Sequence, residues 1–147
     1  MNGSMKNQKG LAAIEFALAM PAMMIVLAGV LEVGNIFMQY NSLTRVVQAG
    51  ARFAVTESFG TAGVECTDIQ GKQASIQNVV VYGKATGGSD AALDSFTLSD
   101  VSVSCDDDAR VATVTADYDY SPKLAPSIPF TNTSFSFTLS ASSVMRY

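Results

Sequence analysis

Residues 11–34 read LAAIEFALAMPAMMIVLAGVLEVG, an apolar run whose only charged side chains are Glu15 and Glu32. As a helix it would extend roughly 36 Å, enough to cross the hydrocarbon core of a bilayer. A run of this kind dictates the rest of the fold, because every other element must be built on one side of it. Ahead of it, MNGSMKNQKG carries Lys6 and Lys9 and no acid. That charge bias predicts a cytoplasmic N-terminus and an exported remainder, although Arg45 and Arg52 beyond the run keep the bias modest. An ordinary secretory signal fits poorly. Glu15 would interrupt its apolar core, and no clear small-x-small cleavage site follows.

The helix does not stop at the membrane surface. Ile36, Tyr40, Leu43, Val47, Gly50 and Ala54 recur at intervals of three and four, the spacing of one helix face. Gln39, Asn41, Arg45, Gln48 and Arg52 fall largely on the remaining surface. One helix is therefore expected from about residue 11 to about residue 55, transmembrane over 11–34 and amphipathic over 35–55. Its second half needs a partner, which residues 56–147 supply as an extracytoplasmic head.

SFGTAGVEC (58–66) is a glycine-bearing connection that ends the helix. The pattern of Ile69, Ile76, Val79 and Val80 favours a short helix over about 68–82, although NVVVYG alone would suit a strand, and TGGSDAA is a loop. Beyond it the period switches to two. RVATVTADYDY places Ala112, Val114, Ala116, Tyr118 and Tyr120 on one face; TSFSFTLSAS does the same with Phe135, Phe137, Leu139 and Ala141. SFTLSDVSVSC (95–105) alternates with a slip near Asp100 that a β-bulge would explain. CDDDAR is a tight connection, and SPKLAPSIPF a longer one. The expected fold is α+β: a long N-terminal helix packed on a small antiparallel sheet of about three strands, with one extra short helix. A three-stranded sheet needs such a cover.

Cys66 and Cys105 both fall in the polar part. If that part is exported, a disulfide is the natural reading, worth about 4 kcal/mol on the chain-entropy view; two unrelated buried thiols are the alternative. From Thr56 onward the chain has eleven acidic and five basic residues, which argues against nucleic acid as a partner. The chain has no histidine, so imidazole catalysis is out of reach. No Ser–Lys pair stands out either, and the expectation is a protein that is not an enzyme and needs no cofactor. Asp106, Asp107 and Asp108 are weak calcium candidates, near Glu65 or Asp68 if the disulfide forms, but they lack EF-hand spacing. Met20, Met23 and Met24 read as lipid-facing or interhelical filler rather than metal ligands.

Gly10 followed by LAAIEF resembles the cleavage pattern of type IV pilin precursors, with Glu15 fifth after the cut. The continuation through QAGARFAV, and the terminal SASSVMRY, resemble TadE-like pseudopilins of the tight-adherence (Tad, Flp) pilus system. In that family the proline at Pro21 and an acid leaving the membrane are typical. The resemblance implies a pilin-like fold and a leader peptide, residues 1–10, removed by a prepilin peptidase between Gly10 and Leu11. It implies residence in the inner membrane as a minor pilin or pseudopilin. The partners it implies are the major Flp-type pilin, another minor pilin, the prepilin peptidase and the inner-membrane assembly platform.

The chemistry of the carboxylate stands beside that analogy. An acid inside a membrane helix costs about 2.5–3.5 kcal/mol on insertion scales, less near an end where it can reach the headgroups. Cleavage after Gly10 would create an α-ammonium on Leu11, one turn before Glu15. That amine and the positive helix N-terminus both favour a carboxylate there, on the same helix or a neighbouring one. Glu15, with Phe16 beside it, is thus expected to be an assembly contact; a snorkelling acid is the bland alternative. Pro21 removes a backbone donor and is expected to bend or locally melt the helix. A competing function is a membrane-anchored binding module in which the helix is only a tether.

Overall fold

The computed structural model describes the backbone of residues 5–58, 65–122 and 136–147, with side chains from Gly10 to Glu57 in the first of these stretches. The fold is α+β, as the periodicities predict. Helix α1 is Met5–Ser58, α2 is Cys66–Gly71 and α3 is Gln73–Tyr82. A 3-10 turn, Leu98–Asp100, leads into strands β1 (Val101–Asp106), β2 (Val111–Tyr120) and β3 (Phe137–Arg146). The chain divides into two compact units, with the boundary in α1 between Asn35 and Ile36.

In the first unit, α1 is longer than expected at its start. It begins at Met5 and runs through Gly10 and Pro21 as α-helix, where the sequence places the start at about residue 11. Met, Lys and Gln are good helix formers, so residues 5–10 extend the helix backwards at the modest cost of one glycine. Pro21 removes one hydrogen bond, to the carbonyl of Ala17, and the helix passes through it.

In the second unit, α1 turns one face inward. Leu43, Val47, Ala51, Ala54 and Val55 are buried in one core with Ile76 and Val80 of α3, Ile69 of α2 and the inner sheet face. Tyr40, expected on that face, is instead exposed; it precedes Leu43, where the buried stretch begins. Gly50 is the point of closest approach. A β-carbon there would overlap Cγ2 of Val80 and lie 3.8 Å from Cγ1 of Val114 on β2, so α1 meets both α3 and the sheet at this residue.

The sheet is an antiparallel meander in the order β1-β2-β3. Ala112, Val114, Ala116, Tyr118 and Tyr120 are all buried, and Leu139 and Ala141 join them from β3. Phe137 keeps to the same face, its ring 5.4 Å from that of Tyr120; Phe135 lies outside the described residues. β3 runs on to Arg146, beyond the stretch that the alternation marks.

Two local expectations change. The helix expected over 68–82 is two helices that break at Lys72, whose φ of −103° and ψ of 9° leave the helical region. The slip near Asp100 is not a bulge. It is the 3-10 turn, held by the Asp100 carboxylate, which accepts the Thr97 amide and the Thr97 hydroxyl, each at 2.8 Å. β1 starts only after it. α3 ends at Gly83, whose φ of +70° is the left-handed cap that glycine adopts without penalty.

Candidate functional site

The residues singled out from sequence fall into two groups, one in each unit. Gly10, Leu11, Glu15, Phe16 and Pro21 all lie on the first part of α1. Leu11 and Glu15 are four residues apart, hence on one helix face. All five are exposed; Leu11 shows 70% and Phe16 62% of its surface. Leu18, Met23, Met24, Val26 and Leu27 are exposed as well. Surface this greasy on every side is not the exterior of a water-soluble helix. The stretch meets the length and composition required to cross a membrane, and none of its most apolar window is buried within the chain. Glu32, at the other end of the run, is only 5% exposed and is engaged in an interaction.

The second group closes the end of the head where β1 turns into β2. Cys66, the first residue of α2, and Cys105 on β1 form a disulfide, with α-carbons 5.6 Å apart and a sequence separation of 39. The disulfide reading is therefore the observed one. Around it the turn is heavily hydrogen-bonded. Asp106 Oδ1 accepts the amides of Asp108 and Ala109 at 2.9 and 3.0 Å, the self-capping habit of aspartate in tight turns. Asp107 Oδ1 accepts the Cys66 amide at 2.8 Å, so a carboxylate sits at the start of α2. It also accepts the hydroxyl of Tyr147 at 2.8 Å. That hydroxyl is 3.2 Å from the carbonyl of Asp106 and 3.9 Å from Cys66 Sγ.

Tyr147 is tied down twice more. Its amide donates to the Arg110 carbonyl at 3.1 Å, and the Arg110 guanidinium lies 5.9 Å from its ring centre. Partial burial first, then the hydrogen bond and charge of Asp107, push the Tyr147 phenol from 10.0 to about 12. It is a donor held in its neutral form.

The geometry uses the acids of the turn as acceptors for the protein's own donors. Asp106 and Asp107 are engaged in this way, and no group of three or more His, Cys, Asp or Glu placed to hold a metal ion occurs among the described residues. Sequence reasoning brought Asp106, Asp107 and Asp108 close to Cys66, but missed Tyr147. Nothing in the alternation of β3 marks the residue that follows it; only its place directly after the strand, with a turn of donors and acceptors opposite, would have hinted at it.

Residues 10–52 match the family model of TadE-like proteins. The match covers the membrane-length helix and most of its amphipathic continuation, and it agrees with the resemblance carried by LAAIEF and QAGARFAV. No curated protein matches the chain, and no solved structure does.

Proposed function

From the TadE-like match over residues 10–52, we propose that this chain is a minor pilin or pseudopilin of a Tad-type pilus. A prepilin peptidase cuts it between Gly10 and Leu11, and it remains in the inner membrane by a single span, with its N-terminus cytoplasmic and its head outside. It then acts beside the major Flp-type pilin and another minor pilin on the inner-membrane platform, in initiation or assembly of the fibre. Its role is structural, with no catalytic step and no cofactor.

The single observation that carries this reading is the all-round apolar surface of α1 between Leu11 and Val30, interrupted by one exposed acid, Glu15. A simple tether gains nothing from that carboxylate, which costs free energy in lipid. A subunit that must find its register among other helices does gain. Once Leu11 carries a free amine, the Glu15 carboxylate one turn on has an opposite charge to meet, its own or a neighbour's. In a low-dielectric setting such a pair is strongly position-dependent, so it rewards one alignment over others.

The test is Glu15→Gln in cells that make the pilus. The expected result is loss of surface pili while the protein stays at its normal level in the membrane. Normal piliation, with loss only of something the head binds, would favour the tethered-module reading instead.

A further inference from the structure

On its outward faces the head carries two arginines on α1 and two aspartates on the sheet, whose outer face also bears Arg146 at its far end, beyond Val144. On α1, Met38, Arg45 and Arg52 are exposed and recur every seven residues, opposite the face that holds Leu43, Val47 and Ala54. Neither arginine makes an ion pair among the described residues. On the outer face of the sheet, Asp117 and Asp119 are exposed two residues apart on β2. Ser140 donates to Asp117, and Thr138 donates to Asp119 at 2.7 Å. One hydroxyl on each carboxylate fixes its position and leaves lone pairs for a further donor. Farther along the same face stands Val144, 59% exposed, in register with Thr113 of β2.

The two faces also agree in end-to-end length, and the intermediate offset of about 4 Å between Arg45 and Asp117 is within an arginine's reach. From Met38 to Arg52 the helix advances about 21 Å. From Thr113, beside Val144, to Asp119 the strand advances about 20 Å. Because α1 packs by Gly50 against Val80 and Val114 on the inner side of the sheet, the helix stripe and the outer sheet face point in opposite directions. One molecule cannot bring them together; two can.

We propose that the outer sheet face of one chain receives the α1 stripe of a second copy. Arg52 meets Asp119, Arg45 reaches Asp117, and Met38 rests on Val144. The contact is heterologous, so the pair keeps one unused face of each kind, one on each copy, and the association can continue as a row. Exposed charge pairs of this sort supply orientation and encounter rate more than tight binding. The inference uses only residues of the head unit and does not depend on the processing or location proposed above.

The experiment uses the full chain in detergent, as two differently tagged populations. One carries Arg52→Cys and the other Asp119→Cys; a short bismaleimide is the probe, and one reactive thiol per chain verifies that Cys66 and Cys105 remain paired. The mixture should cross-link several-fold more than either variant alone. Equal yields from the single variants, or no product from the mixture, would overturn the proposal. A second pair checks the charges. Chains with Arg45→Glu and Arg52→Glu, and chains with Asp117→Lys and Asp119→Lys, should each fail to self-associate, whereas the two together should co-purify. Failure of the mixture to co-purify, or self-association of either alone at the unmodified level, overturns it as well.

Discussion

Tyr147 donates its hydroxyl to Asp107 Oδ1 at 2.8 Å, and thereby closes the chain's last strand over the disulfide turn. The same carboxylate oxygen holds the Cys66 amide. A single acceptor thus joins the end of β3, the β1–β2 turn and the start of α2.

This joint has a pH signature. The folded phenol titrates at about 12, against 10.0 for an ordinary tyrosine. A group whose folded pKa is raised contributes its stabilisation in full below the unfolded value and loses it as pH rises through the folded one. The wild-type advantage over Tyr147→Phe should therefore be constant at neutral pH and shrink between about pH 10 and about pH 12. Denaturant titrations of both chains across that range check it.

Removing the covalent link should be costly. With the cysteines at a sequence separation of 39, replacing Cys66 and Cys105 by serine should lower stability by about 4 kcal/mol on the chain-entropy view. Comparing denaturation midpoints of the two chains at equal denaturant sensitivity measures it.

Gly50→Ala offers a case where helix propensity and packing disagree. Alanine gains about 1 kcal/mol in an isolated helix, yet its methyl group would overlap Val80, and overpacking costs about 1–3 kcal/mol. Destabilisation is the expected net result. Adding Val80→Ala should then cost less than it does in the wild-type background, a non-additivity that a double-mutant cycle reads directly.

Asp100 caps the 3-10 turn that sets where β1 begins. Asp100→Ala removes the acceptor for both the Thr97 amide and hydroxyl, with an expected loss of about 1 kcal/mol. Asp100→Asn, which keeps an acceptor oxygen, should recover most of it. Thermal denaturation of the three chains is sufficient to compare them.

The sequence made the regular parts of the fold legible because each carries a period. The inward face of β2 is buried residue for residue as the alternation predicts, and the core face of α1 follows its three-and-four spacing from Leu43 onward. What escaped is not periodic. The break at Lys72 depends on backbone angles, and the offset at Asp100 on a side chain reaching back three residues. The extension of α1 back to Met5 runs through residues 5–10, which carry no apolar period to mark them as helix. The same contrast holds for the candidate sites. Glu15 stood out as one charge in an apolar field, and the cysteine pair as the only two in the chain, whereas Tyr147 became visible only when β3 delivered it beside Asp107.

A pilin-type subunit must be trimmed at the head of α1. Intact-mass and N-terminal sequencing of the protein, taken from the membrane and from sheared pili, tests that most directly. A mature chain that starts at Leu11, and that keeps its leader when the prepilin peptidase is deleted, is the predicted result. Working pili built with residues 1–10 still attached would contradict it, as would a mature chain that starts beyond about residue 30, the mark of ordinary secretion.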